Sequence, residues 1–399
     1  MPGLRVPRFA SSTLLAMALA AGMPSVGAGD PGPPSGVVVD PAAQTTPSID
    51  MSDPATPGTS QRSGTGITPI FAPIPFKHTQ LGWGLAVMVG AIHRFEPDTT
   101  IKPSTGAVAG FYSENKSWGW TIVEMARLRQ DQWRLRGLAM HADVRYDFFG
   151  IGQDAGDAGR SVAIEQAMDV AVIAALRRVT PNLYGGASLL WIRTSADLLH
   201  DHGLPTPPSV EDLATANLLA PGIQVEFDTR DDDYWPSRGS IVTAKTNFFS
   251  SALGSDSDFQ RYMAAWCWYT SLRGPALLLA ANASVTAATG EVPFWAIPSV
   301  GAGLYGLRGY TQGRYRDNVV TTVQAELRAH SKGRLGATVF GGLAQVGGSV
   351  GDLWNAEVLP AGGAGLRFQL TREFPMHMRA DYAWGKNGGI FYFSVNEAF

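Results

Sequence analysis

The sequence has 399 residues, 16% of them charged, and a formal net charge of −3. This near-neutral balance gives no indication of nucleic-acid binding. The single cysteine, Cys267, excludes an internal disulfide and a cysteine-based metal site. Few charges together with 46 glycines favour a chain that exposes much of its surface to lipid.

The N-terminal residues have the pattern of an export signal. Arg5 and Arg8 precede an apolar run at 9–21, and the small residues Val, Gly and Ala follow at 26–28. We therefore expect a signal peptide at 1–28 that is cleaved near Gly29. No apolar stretch of 18 or more residues follows in the sequence, which predicts no transmembrane helix. Residues 29–69 are rich in Pro, Thr and Ser without amphipathic period, which is typical of a disordered tail.

Residues 70–399 are predicted to form an all-β domain, a transmembrane antiparallel β-barrel with sixteen strands. A transmembrane strand needs about 9–11 residues whose apolar and polar side chains alternate. Closing the sheet satisfies every backbone group in lipid, which an open sheet cannot do. The predicted strands are 70–77, 80–94, 105–114, 118–130, 132–147, 161–178, 182–196, 217–228, 239–250, 257–272, 275–290, 319–331, 334–346, 361–371, 374–384 and 389–399.

From residue 114 onward, the lengths of the connections between these strands alternate between short and long, apart from 228–239. Outer-membrane barrels have short periplasmic turns and longer extracellular loops. The short links are predicted to be periplasmic turns: 129–132, 180–182, 273–275, 331–334 and 371–374. The long links are predicted to be surface loops: 148–160, 196–217, 290–319 and 346–361.

Alternation predicts which face of each strand meets lipid. In 319–329 the parity of Val323 faces lipid and the parity of Glu326 and Arg328 faces the lumen. The opposite register is disfavoured, because a basic side chain at the membrane midplane costs about 2–4 kcal/mol. In 375–384 the same argument directs His377, Arg379 and Asp381 inward.

Three further strands carry predictions about their faces. In 163–177 the charged parity, with Glu165, Asp169 and Arg177, is assigned to the lumen. In the fifth strand, apolar Trp133 and Leu135 share a parity with His141, Asp143 and Arg145, which we expect a bulge near Gly137 to repair. In the last strand the outward stripe is interrupted by Glu397, which is expected at the membrane interface. That stripe comprises Phe391, Phe393, Val395 and Phe399.

Three motifs resemble those of one known family. The first is Gly306-Leu307-Arg308-Gly309-Tyr310, in the long link at 290–319. The second is a turn motif at 228–239 whose named residues are Asp228, Arg230, Asp231, Pro236 and Gly239. The third is the aromatic stripe of the last strand. In this order they resemble the bacterial outer-membrane assembly-factor superfamily, the BamA and TamA family, whose barrel is called the bacterial surface antigen domain.

The resemblance implies a place and a partner for Arg308. In the family, the Arg-Gly-aromatic loop folds back into the barrel lumen, and its arginine pairs with the aspartate of a Phe-x-Asp-x-Gly strand. Here the matching stretch begins at Phe340, and Gly342 stands where the family has aspartate. Glu326 and Asp381 on flanking strands are the candidate substitutes. A guanidinium that reaches water in the lumen is the alternative.

The family also implies a function, with alternatives left open. It predicts a barrel in the outer membrane of a diderm bacterium that inserts or translocates proteins. Its partners would be the lipid bilayer, an unfolded outer-membrane or secreted protein, and the barrel-assembly machinery during its own biogenesis. The 29–69 segment is too short for a periplasmic polypeptide-transport module, so we expect none there. A passive or loop-gated pore for small solutes and a structural or surface-display barrel are the alternatives. Pro73 and Pro75 remove amide donors from the first strand and are expected to weaken its pairing with 389–399; a weak seam would favour lateral opening, and a full ladder a static pore.

Other motifs favour structural roles over chemistry. The 228–239 motif is expected to be a self-satisfied turn, and its run of three aspartates cannot converge on one metal ion from an extended backbone. The glycines at 301–306 are not followed by the helix that a dinucleotide site needs. His200 and His202 point to opposite sides of a loop, and Cys267 lies between two tryptophans. We therefore expect no enzyme, no cofactor and no metal.

Overall fold

A computed structural model describes most of the predicted barrel. The signal peptide predicted for 1–28 and most of the tail predicted for 29–69 lie outside the described residues. The structure describes residues 67–96, 104–199, 215–231, 235–274, 276–301, 305–331, 333–369, 377–395 and 397–399.

Sixteen antiparallel strands form one closed barrel in which each strand pairs with its neighbours in sequence and β1 meets β16. The predicted fold is therefore confirmed. The largest difference from a predicted boundary is at the end of the last strand, predicted at 399 and found at 395. The strands are β1 Thr68–His78, β2 Gly82–His93, β3 Ser104–Ser113, β4 Trp118–Leu128, β5 Trp133–Phe148, β6 Val162–Thr180, β7 Leu183–Leu198, β8 Thr215–Asp228, β9 Gly239–Phe249, β10 Phe259–Ser271, β11 Leu277–Gly290, β12 Val319–His330, β13 Leu335–Gly347, β14 Leu359–Gln369, β15 His377–Gly385 and β16 Gly388–Val395.

The two ends of the barrel differ in their connections. One end, here the loop end, carries the links after β5, β7, β11 and β13; the other, the turn end, carries those after β4, β6, β10 and β12. The loop end includes helix α1 (Gln153–Ala158) and the short 3-10 helices Phe294–Ala296 and Asp352–Trp354. Within the described residues, no helix is long and apolar enough to cross a membrane.

Exposed apolar side chains alternate with buried side chains along the wall, which distinguishes an outer from an inner face. On β12, Val323 is 57% exposed, whereas Glu326 and Arg328 are each 1% exposed. On β15, Trp384 is 53% exposed, whereas Asp381 is fully buried. The predicted registers of these two strands are confirmed, and the exposed apolar residues form the band that contacts lipid.

The assignment of Glu165, Asp169 and Arg177 to the lumen is wrong. The inward parity of β6 is that of Ile164 and Met168, which are 0% and 3% exposed. Since β6 has 19 residues and about 9–11 suffice to cross a bilayer, its loop end extends beyond the apolar band. The outward Glu165 and Asp169 lie on this extension and meet water, so they carry no penalty from lipid, whereas Arg177 lies at the turn end of the same strand.

These outward charges pair across neighbouring strands. Arg145 of β5 forms an ion pair with Glu165, and Nδ1 of His141 lies 2.8 Å from Oδ1 of Asp169. The predicted bulge near Gly137 is also wrong, since β5 keeps an unbroken register with both β4 and β6 through that residue. Trp133 and Leu135 share the outer face of β5 with these charges. They lie nearer the turn end of the strand, where the outer face meets lipid.

The inner face of the loop end is a dry apolar core. Phe148 and Ile164 belong to it, and it includes Phe294 and Trp295 from the β11–β12 link, all 0–3% exposed. The rings of Phe148 and Phe294 pack edge to face with centroids 5.1 Å apart. At this end, β5–β8 therefore have the pattern of a soluble protein, with apolar residues on the inner face and charged residues on the outer face.

Candidate functional site: the inner-wall charges and the β1–β16 seam

The Arg308 motif lies against the inner face of β15 and β16. Gly309 has a φ of 101°, and a Cβ there would stand 2.9 Å from the carbonyl carbon of Trp384. Only glycine permits so close an approach in this conformation. The Gly309 amide donates to the Tyr392 hydroxyl at 2.7 Å, and the Tyr310 hydroxyl donates to the Pro360 carbonyl at 2.8 Å. The motif's backbone thus fixes the arginine on the inner wall.

Arg308 contacts both candidate carboxylates rather than one. Its Nη1 donates to Oδ2 of Asp381 at 2.7 Å, and its Nη2 donates to Oε1 of Glu326. The guanidinium also lies over the Phe340 ring, 3.5 Å from the centroid. Its side chain is 5% exposed and both carboxylates are fully buried. A desolvated arginine is stabilised only by such pairing.

Three more arginines extend this pair into a network. Arg328 donates through Nε to Glu326 at 2.8 Å, and Arg367 donates to Asp381 at 2.5 Å. Arg379 lies 3.7 Å from Asp381. We call the set the inner-wall cluster, and it consists of Arg308, Glu326, Arg328, Arg367, Arg379, Asp381 and Glu397. Its four arginines and three carboxylates leave one positive charge.

The local geometry explains why Gly342 can replace the aspartate of the family motif. A Cβ at Gly342 would stand 2.6 Å from the Val323 carbonyl oxygen and 2.7 Å from Cδ1 of Leu307. Leu307, which precedes the motif arginine, therefore occupies the space that an aspartate side chain would need. The carboxylates for Arg308 come instead from Glu326 and Asp381.

We expect Gly342→Ala to displace Leu307 and loosen the loop, because the added carbon lies within van der Waals overlap of both neighbours. Gly341→Ala is the matched control, since its Cβ would meet only the Ala361 carbonyl at 3.6 Å. Limited proteolysis of the 290–319 link measures the effect. Faster cleavage in Gly342→Ala than in Gly341→Ala is the expected result, and equal rates would contradict it.

The predicted outward position of Phe399 is wrong. β16 ends at Val395, and residues 397–399 turn towards the inner wall. Phe399 is 9% exposed and packs in a cluster with Ile241, Cys267 and Tyr305. Arg328 donates to its carbonyl oxygen at 2.7 Å. The outward placement holds for the parity of Phe391 and Phe393, and the side chain of Val395 lies outside the description.

Glu397 explains this turn. It was expected at the membrane interface, but its side chain is 4% exposed and accepts from Nε of Arg367 at 2.7 Å. It also lies 3.9 Å from Arg328 and 3.7 Å from Nδ1 of His377. Charge attraction to the inner-wall cluster therefore draws the segment inward and ends the strand before the stripe is complete.

The 228–239 turn satisfies its own polar groups. Arg230 donates to Asp228 at 2.8 Å, and the backbone amide of Ser237 donates to Asp231 at 2.9 Å. Gly239 has a φ of 96°, and Pro236 is buried. In the part of the chain that the structure describes, no group of three or more His, Cys, Asp or Glu residues is placed to hold a metal ion. The other aspartates of the run, 232 and 233, lie outside the described residues.

A polar cap ties the loops together at the loop end. Lys386, in the β15–β16 turn, bridges Asp157 at 2.9 Å and Glu357 at 2.8 Å. The Tyr315 hydroxyl donates to Asp157 at 2.8 Å. Hydrogen bonds to Glu357 and Asp157 raise the pKa of Lys386, and the hydrogen bond from Lys386 lowers the pKa of Asp157. The cap is thus charged around neutral pH.

The seam between β1 and β16 is the weakest pairing of the barrel. β1 pairs with β2 along its whole length, from Thr68 opposite Ile92 to His78 opposite Gly82. Its register with β16 is one pair, Lys77 opposite Phe393. Each other neighbouring pair of strands in the described barrel has a longer register than this.

Two features explain the asymmetry: the register of Lys77 opposite Phe393 leaves only 75–78 of β1 opposite β16, and β1 contains prolines. Pro69, Pro73 and Pro75 share one parity of β1, and proline has no N–H to donate. Successive N–H groups of a strand point to opposite edges, so one edge of β1 loses these donors. Because the β2 edge is continuously paired, the deprived edge is the one that faces β16.

Together, the closed sixteen-stranded barrel, the apolar outer band and the arginine-centred inner wall define a membrane-spanning β-barrel. Its fold is similar to that of BamA from Haemophilus ducreyi lacking POTRA domains 1–3, with a TM-score of 0.55 and 14% identity over 89% of this chain and 74% of that one. The resemblance of the sequence motifs to the BamA-type barrel is thus confirmed at the level of the fold.

Two CdiB structures show the same similarity. For CdiB from Escherichia coli the TM-score is 0.57 with 9% identity, covering 89% of this chain and 67% of that one. For CdiB from Acinetobacter baumannii the TM-score is 0.53 with 13% identity, covering 83% of this chain and 59% of that one. No protein-family model and no curated protein matches the sequence.

Sequence reasoning missed most of the inner-wall cluster as a unit. It singled out Arg308 with Glu326 and Asp381, and it directed Arg328 and Arg379 inward, but it did not connect them. Parity could have identified Arg367 as a member of the cluster, since it lies on the inward-facing side of β14. The break that Glu397 makes in the outward stripe was a second signal, which was interpreted as an interfacial charge.

Proposed function

We propose that this chain is an outer-membrane barrel for protein insertion or translocation, and that its working part is the β1–β16 seam. The observation that carries the proposal is the single register pair between these strands. An unpaired strand edge is a template for another strand. A protein segment entering the seam would pair with the free edge of β1 or β16 while its apolar side chains face lipid.

The inner-wall cluster supports the proposal by holding a plug. We propose that the 291–318 segment occupies the lumen, where Arg308 pins it to β12 and β15 through Glu326 and Asp381. The apolar core around Phe294 would close the same interior at the loop end. A barrel whose lumen is filled offers its seam as the path for a substrate.

The likeness to BamA and CdiB supports the same conclusion, because both have this barrel fold at TM-scores above 0.5. On this proposal, the substrate is an unfolded outer-membrane or secreted protein, and no catalytic chemistry is required. The long links then face the cell exterior and the short turns face the periplasm.

A disulfide across the seam tests the proposal. Lys77→Cys with Phe393→Cys joins two residues that are opposite in register. The barrel is reconstituted in vesicles, and the folding of an added outer-membrane barrel protein is followed by its heat-modifiable gel mobility. We expect the oxidised variant to accelerate folding no more than empty vesicles do, and reductant to restore the acceleration.

A matched disulfide within a continuous ladder is the control. Ala139→Cys with Ala171→Cys joins β5 to β6 and should leave the acceleration intact when oxidised. If the oxidised seam variant is as active as the control, the seam is not the working part.

A loop-gated pore for small solutes is the second candidate, favoured by the ion pairs that hold Arg308 on the wall. It predicts that solute flux is insensitive to the seam disulfide and depends only on the loop. The two candidates therefore separate in the same set of variants.

A further inference from the structure

The loop between β13 and β14 folds over the outer face of the barrel. Gln345 shares its parity with Val339 and Leu343, which are 54% and 50% exposed, whereas Ala344 and Val346 are 2% exposed on the inner face. The outward Gln345 amide donates to the Leu353 carbonyl at 2.9 Å and the Ala356 carbonyl at 3.1 Å. The 3-10 helix Asp352–Trp354 is thereby held against the outside of the wall.

This loop presents an apolar surface next to the lipid-facing strand. Trp354 is 89% exposed, the largest exposed fraction among the large apolar residues of the described chain. Val350 and Val358 are 57% and 43% exposed. Together with Leu343, these three residues extend the lipid-contacting surface of β13 past the loop end of the strand. The neighbouring Asp352 carboxylate accepts from the Ser349 hydroxyl at 2.8 Å, so it is already hydrogen-bonded within the loop.

We propose that the 348–358 loop is an interfacial anchor, and that its partner is the lipid surface at the loop end of the barrel. Tryptophan is enriched at this depth because its ring is apolar while its indole N–H still reaches polar head groups. Gln345 fixes the loop on the side where lipid lies, and the apolar neighbours of Trp354 are continuous with a surface that already contacts lipid. The inference does not depend on the proposed function.

The anchor connects the membrane surface to the polar cap. Glu357, in the same loop, accepts from Lys386, which lies in the turn that leads into β16. The depth of the loop in the interface therefore sets the position of the cap's carboxylate beside that turn.

Site-specific fluorescence measures the depth of the loop. In a Cys267→Ala background, Trp354→Cys and Ala158→Cys are labelled with an environment-sensitive dye and reconstituted in phosphatidylcholine vesicles. Ala158 is the control, since it is exposed on α1 at the same end of the barrel. We expect the dye at 354 to be quenched by lipids that carry a nitroxide high on the acyl chain. Its quenching by aqueous iodide should be several-fold weaker than at 158.

Equal iodide quenching at 354 and 158, without quenching by the labelled lipid, would overturn the proposal. Val350→Cys provides the same readout on the same loop if Trp354→Cys does not fold. Unlabelled vesicles establish the baseline for both positions. Seam activity is not measured in this experiment, so its outcome is separate from that of the disulfide test.

Discussion

Arg308→Met is expected to open the barrel to ions and to destabilise it. The substitution leaves the buried carboxylates of Glu326 and Asp381 without the guanidinium that bridges them. Each carboxylate keeps another arginine, Arg328 for Glu326 and Arg367 for Asp381, so the loss should lie below the about 3–5 kcal/mol that an unpaired buried charge costs. In planar bilayers, we expect a small, flickering conductance for the wild type and a larger, steadier one for Arg308→Met. Urea titration of heat-modifiable gel mobility measures the loss of stability.

Arg314→Met is the matched control for this prediction. Arg314 lies in the same link but donates to the Gly156 carbonyl at 2.9 Å rather than to a buried carboxylate. It should leave conductance near the wild-type level. A large steady conductance in the wild type that Arg308→Met does not change would contradict the plugged lumen, and the solute pore would then be the better account.

Replacing Pro73 and Pro75 by valine is expected to close the seam. The register of Lys77 opposite Phe393 places Pro75 opposite Val395, the last residue of β16, so the restored N–H at 75 is the one that can extend the ladder, and valine favours strands. With a longer ladder, β16 should separate from β1 less often. The acceleration of substrate folding should therefore fall towards that of empty vesicles, as with the seam disulfide but without a covalent bond.

Pro221→Val is the control for general effects of removing a proline from a strand. Pro221 lies in β8, opposite Leu189 and away from the seam. It should leave the folding assay unchanged. If the β1 variant is as active as this control, the missing donors do not set the seam's strength.

The sequence predicted the fold well because its signals are local. Alternation within single strands placed Glu326 and Asp381 on the inner wall, and turn lengths ordered the two ends of the barrel. The register of β12 followed from one energetic argument, the cost of Arg328 in lipid. Each of these inferences needs only neighbouring residues and the presence of a bilayer.

The error on β6 arose because the rule that charges avoid lipid was applied to residues beyond the membrane. Glu165 and Asp169 were directed inward because a charge in lipid is costly, but β6 extends past the lipid, and there the outward face is wet. Whether a strand extends past the lipid depends on how far its neighbouring strands extend. The alternation of side chains within one strand does not encode this. Phe399 was placed outward for a different reason, namely that it continues the parity of Phe391 and Phe393, but Glu397 turns the segment inward to Arg367.

The seam was foreseen in part. Pro73 and Pro75 in the first strand indicated weak pairing with the last strand, and the structure has one register pair there. The inward turn of Glu397 to Arg367 was not foreseen, because its break in the outward stripe was interpreted as an interfacial charge. This contact joins residues 30 positions apart, across the β14–β15–β16 meander, which alternation within one strand does not encode.

Hydrogen exchange of the reconstituted wild-type barrel tests the weak seam most directly. Amide protection reports the free energy of local opening. We predict that amides of β1 on the β16 edge, and those of β16 on the β1 edge, exchange at least about tenfold faster than those of β5, β6 and β7. Equal protection around the whole barrel would mean a continuous ladder, and it would contradict the seam as the working part of this protein.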